Sequence, residues 1–192
     1  EALRYAASDT VRSELWGCIG DVWHQKAEQR LPEGVQAESD AGIAWLGRDG
    51  GARRDMKRCY EAYDRALEYF GDNASVLNNY AYFLSLEGRD LDRALSMSGR
   101  ATEIADNNPT FLDTHAWVLY TMGRYTEAKK VMQQAIALDG QESAALLVHY
   151  GDILHAMGEQ FMAEIYWRKG LEKGYDADQI TRRMEQGKAE KE

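Results

Sequence analysis

Two phrases in this 192-residue chain repeat a pair of side chains with chemical potential. G-D-V-W-H (Gly20–His24) and G-D-I-L-H (Gly151–His155) each set an aspartate three residues before a histidine. On a helix that spacing puts both groups on one face. An aspartate beside an imidazole can orient a general base, or offer two ligands to a metal ion. Neither chemistry is complete here. A zinc site asks for three or four ligands, and each phrase offers two. Acyl transfer asks for a nucleophile beside the base and donors for the oxyanion. Ser13 and Cys18 precede His24, but no motif supplies those donors. His115 and His149 are expected on other faces of their helices. The residues therefore predict no metal site, no cofactor and no catalysis. An enzymatic role would require a deep pocket closed over the Asp21/His24 end, with a raised histidine pKa.

The remaining candidates are weaker. Cys18 and Cys59 are the two cysteines. They read as thiols in small-residue packing sites, with a disulfide left open as the sharper alternative. The net charge is −9, from 23 basic and 32 acidic residues, which argues against a surface that tracks phosphates. No apolar run approaches the ~18 residues of a membrane span. A hydrophobic content of 44% is enough to build a core.

The elements that position the two Asp–His pairs follow from a repeat. Gly88, Gly123 and Gly158 stand 35 residues apart. Ala81, Ala116 and Gly151 stand seven residues before them, and Ala94/Ala101, Ala128/Ala135 and Ala163/Gly170 follow at fixed offsets. Small residues at such positions mark the close approach of two helices, and the glycine marks the turn between them. In VLNNYAYFLSLEG, Leu77, Tyr80, Ala81 and Leu84 make one helical face; in RALSMSGRATEI, Ala94, Met97, Ala101 and Ile104 make another. One helix pair cannot bury its apolar face alone, so such pairs stack in series.

On these residues the chain resembles the tetratricopeptide repeat family. The match extends to Gly20 as the first unit's small residue, to Cys59 and Ala66 in its second helix, and to Tyr63, Ser98, Met132 and Trp167 as the bulky contacts. Ser98 departs from the pattern, and the closing proline is absent in every unit. Asp72–Asn73 and Asn107–Asn108 supply turn chemistry instead. The resemblance implies an all-α, right-handed α-solenoid of antiparallel helix pairs, a superhelix. Its units fall at residues 13–73, 74–108, 109–142 and 143–175. Residues 1–12 read as the second helix of a preceding unit, which implies a longer precursor, and 176–192 as a capping helix and tail. LNNYAYFLSLEGRDLDRA and LDTHAWVLYTMGRYTEA are also similar to tetratricopeptide proteins of Gram-negative bacteria, many of the cell envelope. That suggests a periplasmic or envelope location, with a cytoplasmic one open.

The period breaks once. Gly20 to Ala81 spans 61 residues, an excess of 26 over the later intervals, which places an insertion at about 28–55. It is rich in glycine and holds Pro32, so irregular structure is expected. Inside it GIAWL (42–46) forms an apolar island, and Arg48, Arg53, Arg54, Lys57 and Arg58 cluster nearby. The alternatives are a surface loop with one short helix folded back, or an anchor in which Trp45 holds a partner.

The resemblance also implies a binding surface. Family members bind along the concave face, lined by the first helix of each unit. The matching positions are Asp21 and His24, Tyr82 and Ser85, Trp117 and Tyr120, and Asp152 and His155, with Asn78 and Asp113 one turn earlier. Either the aromatic residues pack between first helices, or they anchor a peptide. Family members that grip a carboxylate use Lys, Arg and Asn there; only Asn78 and Asn79 resemble that set, and no Lys or Arg occupies these positions. Asp21, Asp113 and Asp152 favour a basic or neutral segment. The expected function is non-catalytic protein or peptide binding as a scaffold or adaptor. The alternative is a small-ligand-binding or accessory subunit of a bacterial envelope system.

Overall fold

Helix starts in this chain are written by capping residues. Ser8, Asn73 and Ser143 each accept a hydrogen bond from the backbone N–H three residues on, Asp49 from those two and three residues on, and Asn108 from the one two residues on. These side chains satisfy amides that a helix start leaves unbonded. Helix ends are written by glycine. Gly88, Gly123 and Gly158 adopt φ of 62°, 74° and 78°, which costs a residue without Cβ nothing. Around each, the next residue's N–H reaches five residues back: Arg89 to Leu84, Arg124 to Leu119, Glu159 to Leu154. This closes three helices in one way, at the 35-residue spacing of the sequence.

The computed structural model describes residues 8–35, 40–106, 108–139 and 141–189. Ten α-helices lie among them: α1 (Asp9–Glu28), α2 (Asp40–Leu46), α3 (Gly50–Tyr69), α4 (Ala74–Leu86), α5 (Leu91–Ile104), α6 (Pro109–Thr121), α7 (Tyr125–Asp139), α8 (Ala144–Ala156), α9 (Gln160–Glu172) and α10 (Ala177–Ala189). The fold is all-α, built of sequential antiparallel pairs. It divides into two units, one through Ile104 and one from Ala105.

In the first unit α1 pairs with α3 and α4 with α5, while α4 lies against both α3 and α1. Ala52, Cys59, Tyr63, Ala66, Ala81, Ala94 and Ala101 are buried between these helices. Ser98 is buried as well, and its hydroxyl donates to the carbonyl of Leu95 at 3.2 Å, so the departure from an apolar contact is satisfied locally. α1 starts at Asp9, not at residue 13, because Ser8 is its cap. The reading of residues 1–12 as an earlier helix otherwise lies outside the described residues, as does Asn107. The insertion contains the short helix α2, which carries GIAWL.

In the second unit α6 pairs with α7 and α8 with α9. α8 lies against α7 and α6, and α10 packs on α9. Ala116, Ala128, Met132, Ala135, Ala163 and Trp167 fill this core. α10 is polar along most of its length, but Ile180 is buried. No helix among the described residues is long and apolar enough to cross a membrane.

Candidate binding surfaces

In the first unit the Asp21/His24 pair is held by its neighbours, and the two members differ sharply. Gly20 has no Cβ, so the ring of Tyr63 lies directly against α1; an added Cβ there would collide with it. The Tyr63 hydroxyl donates to Asp21 Oδ1 at 2.5 Å, and Asn79 Nδ2 of α4 donates to the same oxygen at 3.2 Å. Asp21 itself stays exposed. His24 is turned inward and stacks on Phe83, with ring centroids 3.7 Å apart. Burial pushes its pKa down to about 4, against the opposing pull of the Asp21 charge. His24 is therefore neutral at pH 7, and Glu28, 3.7 Å away, meets a neutral ring.

The insertion closes over this end. Ile43 and Leu46 of α2 line a cleft with His24, Tyr82, Phe83 and Leu86. Trp45, the anchor in one of the two alternatives for the insertion, is half-buried and does not line this cleft. Asn78 is buried, and its carbonyl oxygen has no hydrogen-bond partner among the described residues. Its amide donates to Asn79 at 3.2 Å, which links it to Asp21. Tyr82 is half-exposed beside Phe83. Ser85 is buried, with its hydroxyl on the Tyr82 carbonyl at 2.6 Å.

The second unit repeats the frame and completes it differently. Gly151 makes room for the Trp167 indole as Gly20 does for Tyr63. Trp167 Nε1 donates to Asp152 Oδ1 at 2.8 Å. Arg183 of α10 then grips both carboxylate oxygens, Nε at 2.8 Å and Nη2 at 3.0 Å. Asp152 thus neutralises a cation of its own unit. Asp113 is also committed: His149 Nδ1 lies 2.8 Å from its Oδ1, with both side chains largely buried. His149 stacks on Trp117, which stacks on Tyr120. His149, expected on another face of its helix, reaches α6 and supports the Trp117 ring. His155 sits beside Trp167, 5.4 Å between centroids.

Removing the Arg183 guanidinium should loosen α10. Arg183→Gln is expected to cost about 1.5–3 kcal/mol, the range for hydrogen bonds to a charged group. Hydrogen exchange of the α10 amides checks this, since the loss should appear there first.

Of the acids expected to line a groove, only Asp21 is exposed with no cationic partner among the described residues. Sequence reasoning missed Tyr63, Phe83, Ile43, Leu46 and Arg183 as parts of these surfaces. No group of three or more His, Cys, Asp or Glu that could hold a metal ion occurs among the described residues. Both cysteines are free: Cys18 is exposed, and Cys59 is buried with its thiol pushed up to about 12 by that burial. The basic cluster of the insertion is partly neutralised. Asp55 takes Arg30 at 2.8 Å and Arg58 at 3.7 Å, and the Arg58 guanidinium lies over the Trp23 ring.

Paired helices presenting aromatic and polar side chains from their first members define a helical-repeat protein. Its architecture is that of known structures. Forty-nine solved chains match it, one of them from the functional characterization of Pseudomonas aeruginosa pilF. That chain superposes with a TM-score of 0.58 at 20% identity, over 88% of this chain and 79% of its own length. The likeness shows the fold. No family model and no curated protein matches the sequence.

Proposed function

We propose that this chain is a non-catalytic scaffold or adaptor that binds a protein or peptide segment on the first-helix faces of its units, the concave face of a tetratricopeptide array. One observation carries the reading: Tyr82, Trp117 and Tyr120 stand partly exposed on first helices and are held by ring contacts, Tyr82 beside Phe83 and Trp117 between Tyr120 and the buried His149. Half-exposed aromatics on a firm support lose little entropy on binding, and such residues dominate binding energy. Asp21, His24, Asn78, Asp113, Asp152 and His155 act around them: Asp21 through its exposed carboxylate, the others by holding that surface in shape. Family resemblance adds the bacterial cell envelope as the proposed location.

The alternative of a small-ligand-binding accessory subunit rests on the cleft beneath α2. That cleft holds about 40 Å³, well below the ~300–1,000 Å³ usual for a small-molecule site, but a more open hollow of about 890 Å³ on the same unit, lined by Ile43, Leu46, Arg53, Arg54 and Lys57 among others, gives this alternative a place.

The test uses a Tyr82→Ala/Trp117→Ala/Tyr120→Ala variant whose helicity by circular dichroism equals that of the parent chain. Each truncation is expected to cost at least about 1–2 kcal/mol of partner binding. Unchanged affinity for a partner captured by the parent chain would move the interface elsewhere.

A further inference from the structure

The cleft and the exposed carboxylate of the first unit are neighbours. Ile43 and Leu46 of α2 line a mainly apolar recess with Met56, Phe83 and Leu86, and His24, Glu28 and Glu87 add polar groups to its lining. One helical turn back along α1 stands Asp21, about 5 Å along the axis. Its carboxylate is fixed by two neutral donors, Tyr63 and Asn79.

The second unit shows what this frame does when a cation is at hand. Asp152 occupies the same place beside a glycine and a bulky ring. It takes a neutral donor from Trp167 and then a guanidinium from Arg183. In the first unit the helix lying next along, α4, supplies only the Asn79 amide, so the negative charge of Asp21 is left for solvent or a ligand. Asn78 adds a buried carbonyl with no donor among the described residues, tied through Asn79 to the same carboxylate.

Resting on the scaffold reading, we infer that the first unit takes a separate partner segment whose bulky apolar side chain enters the α2 cleft while a neighbouring arginine or lysine pairs with Asp21. The recess holds one side chain. The carboxylate next to it selects what flanks that side chain, and it disfavours acidic segments. The inserted helix is then a specificity element, because it supplies two walls of the recess that the repeat alone lacks.

Panning a displayed library of short random peptides on the full chain tests this. The enriched peptides should carry Leu, Ile, Met or Phe within one turn of Arg or Lys. Against the best of them, Asp21→Asn should weaken binding by about three- to ten-fold, in keeping with a partly desolvated ion pair. Leu46→Ala should weaken it comparably. Changing the peptide's basic residue to Gln should cost the parent chain the same factor and cost the Asp21→Asn variant nothing more. Peptides insensitive to both variants but lost on Trp117→Ala would overturn this inference and leave the scaffold reading standing. Acidic enrichment would overturn it too. No peptide binding at all would overturn both. A dimer of the chain alone that Asp21→Asn dissolves, seen by sedimentation, would make a second copy the occupant and overturn the separate partner.

Discussion

Replacing Trp167 with alanine is expected to destabilise the second unit by about 3–5 kcal/mol, the cost of emptying a large aromatic site in a core. Trp167 is 2% exposed. Its indole fills the space that Gly151 leaves on α8, where any Cβ would collide with it. Its N–H is one of the donors holding Asp152. The substitution therefore removes apolar burial and a hydrogen bond to a partly buried carboxylate together. Urea unfolding of parent and variant measures the loss as a lower midpoint at unchanged slope. A loss below about 1 kcal/mol would mean that α8 and α9 collapse onto the vacancy, contrary to the tight register that Gly151 implies.

Stability of the first unit should fall as pH drops from about 6.5 to 4, and His24 is the cause. Its folded pKa is about 4, against 6.5 for an ordinary imidazole such as the unfolded chain presents. Between these values the unfolded chain binds a proton that the folded chain refuses, so acid favours unfolding. At pH 7 the ring is neutral in both states and contributes no penalty. By pH 4 the difference amounts to about 3 kcal/mol, from 1.36 kcal/mol per pKa unit. Burial against Phe83 is the larger influence on the ring; the nearby Asp21 charge works the other way. Carboxylates titrate over part of the same range, so the informative quantity is the difference from a His24→Phe variant. That variant should keep the stack and lose about 3 kcal/mol less than the parent chain between pH 7 and pH 4. Parallel pH profiles would place His24 in water.

The paired-helix fold was legible because its signals are local. Small residues at fixed offsets and a glycine at the end of each first helix declare themselves without knowledge of their partners. The surfaces were less legible because tertiary neighbours decide them. Asn79 and His149 illustrate the difference. Each stands two residues before the small residue of its helix, and each reaches back to an aspartate on an earlier first helix, Asp21 or Asp113. A count that looks only for groove positions passes over them. Arg183 lay in a stretch read as a polar cap, where nothing local says that one guanidinium turns toward Asp152. GIAWL was visible as an apolar island, but that Ile43 and Leu46 are the members that line the cleft was not. In a short helix the inward face depends on how the helix docks, and the sequence does not encode that locally.

The most direct test of the central claim is site-specific photo-cross-linking in cells that make the protein. One variant carries a photoreactive phenylalanine in place of Tyr82, the other in place of Glu103, an exposed residue of α5. The account predicts a discrete protein adduct from position 82 and none from position 103. The same adduct from both positions, or one from position 103 alone, would contradict binding on the first-helix face.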